Sequence, residues 1–443
     1  MDIFEKIPAF DGKYAGSFDC RENCLMKLFI NTTAEDFCGY VSSLEADGFK
    51  LLQQTDTEDN LFAVLKKDCV VTVYFTPCDG FTRITASEKN QTPCFEKTEC
   101  AGECQTTFYG FESDHTIIDC GMCLLVQCPD YSFFIVDSGH YFQFNDNDRI
   151  YKLMRERTPK GRKVVVNGWM ITHAHTDHIS KLMDFLKYNT DDVVIEGFYQ
   201  NLIREDCYVD DNHEETEMAA KLFRMLEAYP APVYKLHTGM RFYIRNLTFD
   251  VLSTQEDLYP DEITDYNDSS CVVMLEAEGT KIFIPGDAAV LAGRKMEQRF
   301  SEKTFKCDVV QIAHHGHTGL STTCYEKLNA DVAVFPVTQI MFDADYQRMA
   351  PNRRAIELAK EYYVTSNGTV VIPLPYKEDT VTTLPDETFE DFEKIKRIWR
   401  YVYTDEYKEA LYENFVANGG ELDNTVLPTS AMGWIEPKPP IEE

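Results

Sequence analysis

One short segment of this 443-residue chain most constrains its fold, because it places four potential metal ligands between a strand and a helix. The chain has only 10 histidines, and the pattern H-x-H-x-D-H is formed by His173, His175, Asp177 and His178. The apolar stretch 164–172 predicts a buried strand before the motif, and an amphipathic helix is predicted after it. Side chains two positions apart on an extended segment point the same way, so His173 and His175 can share one metal ion. The turn that follows directs Asp177 and His178 toward a second ion.

Two further strand ends carry candidate ligands. An apolar strand over 281–285 is followed by a Gly-Asp pair that contains Asp287, and an apolar strand from Cys307 is followed by His314 and His315. Ligands from several strand ends converge at one edge of a sheet, where sites on layered α/β folds are usually built. A carboxylate can bridge two divalent ions and balance their charge, and Asp287 is the candidate for that role. Because neighbours on a strand face opposite ways, only one of His314 and His315 is expected to bind a metal.

Five motifs follow one another in the chain: Asp-Ser-Gly at 137–139, H-x-H-x-D-H at 173–178, Asn-Asp-Ser-Ser at 267–270, Gly-Asp at 286–287 and His-His-Gly at 314–316. Over roughly residues 108–375 they resemble the metallo-β-lactamase superfamily. Within it, they are most similar to the branch of competence DNA-uptake protein hydrolase domains and teichoic-acid phosphorylcholine esterases. The resemblance implies a centre with one or two zinc ions, with manganese or iron as alternatives, and it favours His315 over His314 as the ligand.

The chain departs from the fuller superfamily pattern, which has one more histidine ligand between the first motif and the Gly-Asp pair. Only His213 and His237 lie in that interval, and neither is favoured as a ligand, because the segment around His237 is similar to the branch's segment that carries none. A mononuclear or weakly binuclear site therefore stays open. Asp137 is expected beside the metal ligands, accepting a hydrogen bond from a ligand imidazole and fixing its tautomer.

The chain is strongly acidic, with 74 Asp and Glu against 43 Lys and Arg and a formal net charge of −31. Because non-specific binding of nucleic acid depends on cations that neutralise phosphates, a nucleic-acid partner is not favoured. The one basic concentration, residues 152–163, is interpreted as a solvated loop, with contact to a substrate phosphate as the alternative. No apolar run of ~18 residues and no signal peptide is visible, so a cytoplasmic protein without membrane association is expected. The oligomeric state stays open.

The 15 cysteines are an odd number in a long chain without a visible signal, so reduced thiols are expected. Two groups have spacings to weigh against a metal site: Cys20-x-x-x-Cys24, and the run from Cys94 to Cys128. Cys120-x-x-Cys123 has the spacing of a zinc knuckle but no second pair, so packing in the core is favoured. For Cys94, Cys100 and Cys104, which belong to the second group, a small structural metal or redox role stays the alternative.

Three parts are expected along the chain. Residues 1–107 predict a small α+β domain with a helix over 33–47 and no catalytic constellation, which favours a structural or partner-binding role. Residues 108–375 alternate strands and helices in an order that suits an αββα sandwich, two mixed sheets packed face to face with helices outside. Residues 376–443 predict a helical extension, with an aromatic stripe over 387–417 and a loosely ordered tail.

These observations predict a metal-dependent hydrolase in which a metal-bound hydroxide attacks a phosphodiester or related ester of a small molecule. The catalytic residues are expected to be Asp177, Asp287 and His315, and no serine or cysteine nucleophile is needed. A nuclease of the competence-protein type is one alternative. A non-catalytic scaffold with a vestigial metal site is the other.

Overall fold

A computed structural model describes residues 3–384, apart from gaps at 21–22, 90, 99, 101, 115–117, 119, 144, 205–212, 262 and 264. The helical stretch predicted over 387–417, with its aromatic stripe and the tail that follows, lies outside the described residues.

The first sheet is antiparallel and has six strands. They are β1 (Lys13–Asp19), β2 (Cys24–Ile30), β3 (Lys50–Thr57), β4 (Asn60–Lys66), β5 (Val70–Thr76) and β6 (Phe81–Ser87), in the order β1-β2-β6-β5-β4-β3. Helix α1 (Ala34–Ala46) covers one face through Phe37 and Leu44. It begins as predicted at Thr33, whose hydroxyl accepts from the Asp36 amide while the Asp36 carboxylate accepts from the Thr33 amide.

The second sheet is mixed, and its last strand lies beyond residue 375, the predicted end of the central part. Its strands are β7 (Thr107–Gly110), β8 (Cys123–Gln127), β9 (Phe133–Asp137), β10 (Val164–Met170), β11 (Val193–Ile195), β12 (Phe198–Gln200) and β13 (Val233–Lys235). Two later strands extend the sheet: Thr369–Pro373 pairs with β7, and Thr382–Leu384 pairs with Thr369–Pro373. The strands from β9 to β13 run parallel.

The third sheet faces the second. Its strands are β14 (Arg241–Ile244), β15 (Leu247–Ser253), β16 (Val272–Ala277), β17 (Thr280–Ile284), β18 (Val309–Gln311), β19 (Val332–Phe335) and β20 (Glu361–Val364), in chain order across the sheet. A hairpin joins β16 to β17, and its two turn residues, Glu278 and Gly279, both have positive φ (52° and 78°). Such a turn matches the right-handed twist of the flanking strands. The strands from β17 to β20 run parallel.

Helices cover the outer faces of the second and third sheets. Those on the second are α2 (Asp146–Arg157), α3 (Thr176–Tyr188) and α4 (His213–Ala228); those on the third are α5 (Val290–Arg299), α6 (Glu302–Phe305), α7 (Thr322–Leu328), α8 (Gln339–Ala344) and α9 (Ala350–Leu358). Short 3-10 segments lie at Ile3–Lys6, Gln255–Asp257, Tyr266–Ser269, Ala313–Gly316, Tyr346–Arg348 and Thr365–Asn367.

Alternation along the strands builds the layers. In β8, Leu124 and Val126 belong to the core between the two sheets, while Cys123 and Leu125 face the outer helices. Across the central core, Phe134 of β9 meets Phe249 of β15 with ring centroids 4.5 Å apart. The predicted αββα sandwich is confirmed. In the described part of the chain, no helix is both long and apolar enough to cross a bilayer.

The six-stranded sheet packs its second face on the sandwich. Phe62 and Tyr74 join the core between the two larger sheets. Thr55 Oγ1 donates to Gly239 O at 2.7 Å. A buried ion group also crosses this seam: the Asp257 carboxylate accepts from Arg83 of β6 and from Arg299 at the end of α5.

Candidate metal centre

Four strand ends meet at one edge of the sandwich. β9 and β10 are parallel neighbours in one sheet, and β17 and β18 are parallel neighbours in the facing sheet. Asp137 ends β9 and the H-x-H-x-D-H segment follows β10, while Asp287 follows β17 and His315 follows β18. The fold therefore brings the motifs of both halves of the chain to one place.

Two imidazoles and two carboxylates form the tightest part of the site. His178 Nε2 lies 3.1 Å from Asp287 Oδ2 and 3.3 Å from His315 Nε2. His315 Nε2 lies 3.0 Å from Asp177 Oδ2. One potential ligand atom from each of Asp177, His178, Asp287 and His315 lies within 4.8 Å of the others, so these four residues could hold a metal ion. We call them the four-ligand group.

His173 and His175 form a neighbouring pair. His173 Nε2 lies 3.1 Å from His175 Nδ1, and the ring centroids of His173 and His178 are 4.2 Å apart. Six of the seven predicted ligands therefore lie together. They are the pair His173 and His175 and, beside it, the four-ligand group; His314 is the seventh. The arrangement agrees with the assignment of His173 and His175 to one ion and of Asp177 and His178 to another, which stays a prediction.

Asp137 accepts hydrogen bonds that fix the positions of His178 and Thr172. Its Oδ2 accepts from His178 Nδ1 at 2.8 Å and from Thr172 Oγ1 at 2.7 Å, while its Oδ1 accepts from the Thr172 amide at 2.8 Å. The His178 Nδ1 atom is thereby protonated, and Nε2 is left to face the four-ligand group. This is the position that the sequence predicts for Asp137.

The electrostatics of the four-ligand group favour a cation. Burial would lower the pKa of His315, but Asp287 and Asp177 raise it to about 10. The pKa of His178 is also raised well above its usual range, because three carboxylates outweigh the opposing effect of burial. The two imidazoles in turn hold the pKa values of Asp177 and Asp287 well below the usual range, although burial would raise them. A divalent ion would take the place of the protons on these imidazoles.

One buried oxygen tests whether a metal fits. Asp287 Oδ1 is buried and has no hydrogen-bond partner within the described residues, although an unsatisfied buried carboxylate oxygen is costly. Coordination to a cation would satisfy it. For His173, burial and the neighbouring imidazoles lower the pKa well below the usual range, which keeps the ring neutral, as a metal ligand must be. The residues present fit a divalent ion.

His314 stands apart from the four-ligand group. Its Nε2 accepts from Asn267 Nδ2 at 3.3 Å, and its Nδ1 donates to Thr318 O at 3.3 Å. His314 and His315 do not extend β18, so the alternation of neighbours along a strand does not apply to them. Both adopt left-handed backbone conformations, with φ of 50° for His314 and 55° for His315, in a 3-10 turn. That turn, rather than strand alternation, separates the two rings.

His237 belongs to a different cluster. Its Nδ1 pairs with Glu256 Oε1 at 2.8 Å, and it lines a cleft with Cys24 and Lys235. It is not part of the four-ligand group. His213 is the first residue of α4.

The sequence interpretation missed two supports of the site. Glu215 of α4 accepts from the Thr176 amide and hydroxyl, both at 2.8 Å, and so stabilises the start of α3. That helix begins at Thr176, three residues before the predicted start, and its first turn includes Asp177 and His178. Ser270 Oγ accepts from the Asp287 amide at 3.2 Å. A signal for Ser270 was present in the Asn-Asp-Ser-Ser motif, whereas a contact over 39 positions leaves no local signal for Glu215.

No protein-family model matches this chain, and no curated protein matches it. Solved structures similar to it include the metallo-β-lactamase fold protein YhfI from Bacillus subtilis, at 10% identity over 58% of this chain and 96% of that one, with a TM-score of 0.36. A diphosphatase of the PhnP family matches at 14% identity over 52% and 86%, with a TM-score of 0.32. Unliganded yeast PDE1 matches at 12% over 59% and 98%, with a TM-score of 0.37. At these values the likenesses carry no argument about activity, and the narrower branch stays a prediction.

Proposed function

We propose that this protein is a metal-dependent hydrolase that cleaves a phosphodiester or related ester of a small molecule. The observation that carries the proposal is the four-ligand group, in which two carboxylates and two imidazoles converge while Asp287 Oδ1 has no partner among the described residues. Imidazole and carboxylate ligands suit Zn²⁺, with Mn²⁺ and iron as alternatives. When bound, such an ion lowers the pKa of a coordinated water and polarises the scissile group.

The chain's own residues divide the work. Asp287 and His315 are buried, with side-chain exposures of 2% and 4%, and they would hold the ion. Asp177 is the more exposed carboxylate, at 15%, so it lies on the side from which substrate and water enter. Asp137 fixes the tautomer of His178.

Polar groups suited to an ester oxygen lie beside the centre. Tyr266 lies beside His175, with ring centroids 6.2 Å apart, and the next residue, Asn267, donates to His314. Asn267 Oδ1 is buried without a partner in the described structure. We assign Asn267 and His314 to substrate positioning rather than to metal binding.

The charge distribution supports a small substrate over a nucleic acid. The basic run 152–163 lies before the start of β10, whereas the metal motif follows the end of that strand. Seven strand residues span about 23 Å at ~3.3 Å each. Two of its cations also have partners: Arg157 Nε donates to Tyr109 OH, and Arg162 pairs with Glu103. This placement favours the interpretation that the run does not bind a substrate phosphate at the centre.

The test uses the full-length protein, stripped with a chelator and reloaded with Zn²⁺ or Mn²⁺. Hydrolysis of bis(p-nitrophenyl) phosphate is expected in the loaded protein and not in the stripped one, with the phosphomonoester and p-nitrophenyl acetate as comparison substrates. Loaded protein that hydrolyses none of the three would overturn the proposal and favour the scaffold.

A further inference from the structure

Two cysteines lie opposite each other at the end of the β1–β2 pair where the chain turns from β1 to β2. Cys20 follows β1 and Cys24 begins β2. Asp19 pairs with Leu25 in the antiparallel ladder, so Cys20 and Cys24 are the next residues in register, and the Cys20 amide donates to Cys24 O at 2.8 Å. Directly opposed residues have Cα atoms roughly 4.5–5.5 Å apart. That separation lies inside the range of about 4.4–6.8 Å that disulfides span.

The pair lies in the seam between the six-stranded sheet and the sandwich. Both cysteines are buried, at 1% and 2% exposure, and pack with Met26 in a small cluster. Cys24 also lines the cleft that contains Lys235 and His237. The Lys235 ammonium donates to Cys20 O, which places a cation beside the pair. A small oxidant that enters this cleft meets Cys24.

The two thiols differ in acidity. A hydrogen bond from Cys20 lowers the pKa of Cys24 to about 7, and Lys235 and His237 add to this effect against the opposing effect of burial. The same hydrogen bond and burial raise the pKa of Cys20. By contrast, burial raises the pKa of Cys128 and Cys324. A thiolate beside a protonated thiol is the combination that an attacking and a resolving cysteine require.

We propose that Cys20 and Cys24 form a reversible disulfide when the protein meets a peroxide. The Cys24 thiolate attacks one oxygen of hydrogen peroxide, the O–O bond breaks, and a sulfenic acid and hydroxide result. The Cys20 thiol then attacks the sulfenic sulfur, forming the S–S bond and releasing water. In total, two thiols and one peroxide give one disulfide and two waters, and a dithiol reductant reverses the change. This site is independent of the metal centre.

Peptide mass spectrometry tests the proposal on the full-length reduced protein. After peroxide treatment and blocking with N-ethylmaleimide, trypsin cuts at Lys13, Arg21 and Lys27. Peptides 14–21 and 22–27 are expected to be joined, with the loss of two hydrogens, and to separate after dithiothreitol. The C20S variant is expected to accumulate a sulfenic acid at Cys24 that dimedone traps, and C24S to leave Cys20 as a thiol.

Two results would contradict the inference. In the first, Cys20 and Cys24 still react with maleimide after a peroxide dose that oxidises the exposed Cys38 and Cys78. In the second, Cys20 or Cys24 forms a disulfide with a different cysteine. A second measurement on the unaltered chain does not depend on variants folding. The pH midpoint of Cys24 alkylation by iodoacetamide is expected to lie below the ordinary cysteine value of about 8.5, and a midpoint at or above that value would overturn the inference.

Discussion

Asp137 fixes the orientation and the tautomer of the His178 ring, because its carboxylate accepts hydrogen bonds from both the imidazole and the Thr172 backbone amide. The residue itself adopts a positive φ of 56°, an uncommon backbone conformation for a side chain other than glycine. Burial raises the pKa of Asp137, opposed by His178. A substitution that keeps the shape of the Asp137 side chain but alters its hydrogen bonding therefore tests its role.

We expect D137N to weaken zinc binding by 10–100-fold, because an amide group cannot accept at both of its atoms and so disturbs the hydrogen bond to His178. Zinc affinity measured against a competing chelator checks this. D130N is the control, since Asp130 bonds Arg245 and not the centre. Equal zinc affinity in D137N and the unaltered protein would remove the positioning role.

Asn267 offers a second prediction at this scale. N267A is expected to keep its metal and to lose up to about tenfold in kcat/KM on bis(p-nitrophenyl) phosphate, since a single hydrogen bond contributes ~0.5–1.5 kcal/mol. Metal content and kinetics are measured on the same sample, and N367A, which removes an exposed amide that bonds Gln339, is the control. Loss of metal in N267A would instead assign Asn267 to the metal sphere.

The spacing within one local motif predicts that His173, His175, Asp177 and His178 lie close together, and the structure places them so, while their metal-binding roles stay predictions. Residue spacing alone could not separate His314 from His315, and only the family resemblance favoured His315. The left-handed turn that directs the two rings depends on contacts made by the folded chain: the His315 Nδ1 bond to Pro336 O at 2.8 Å spans 21 positions. The role of His237 was equally invisible, since its partner Glu256 lies on a different element.

At the scale of elements, the seam between the six-stranded sheet and the sandwich depends on Asp257. The carboxylate accepts from Arg83, Arg299 and Thr238. Burial would raise the pKa of Asp257, but Arg299 and Arg83 lower it strongly. Its contribution to stability is therefore present above the ordinary aspartate pKa and is lost as the pH falls through the depressed value in the folded protein.

We expect D257N to lower the free energy of unfolding by about 3–5 kcal/mol at neutral pH, because two buried guanidinium groups lose their counter-charge. Urea denaturation measures the change. D250N is the matched control, since the Asp250–Arg241 pair is partly exposed and is expected to contribute at most ~1 kcal/mol. Similar losses in the two variants would show that the buried ion group does not stabilise the seam.

The elements that the sequence predicted well have strong local signals. Thr33 and Asp36 define the start of α1, and the apolar run of β10 is unambiguous. The edge strands β1 and β3 were missed because β1 is largely exposed and β3 has no fully buried residue, so their sequences lack a clear apolar alternation. Their pairing in the sheet, rather than their own composition, makes them strands.

For the whole molecule, net charge bears on whether the proposed substrate is a small molecule or a nucleic acid. With −31 on the chain and the basic run away from the centre, a long polyanion is repelled. We expect poor cleavage of plasmid DNA at ~0.15 M salt, where screening acts beyond about 8 Å. Agarose-gel analysis of the zinc-loaded protein, with bis(p-nitrophenyl) phosphate as the positive substrate, measures this. Efficient plasmid cleavage would promote the nuclease alternative.

The most direct test of the account is the metal content of D287A beside that of the unaltered protein. Asp287 supplies the buried oxygen that has no partner in the described residues, so its removal is expected to cost both metal and hydrolysis. The matched control is D308A, which alters a carboxylate at the opposite ends of β17 and β18, where it accepts from the Lys281 amide. After zinc loading and gel filtration, at least one ion per chain is expected in the unaltered protein and in D308A, and a large loss in D287A. Full metal retention in D287A would contradict the account.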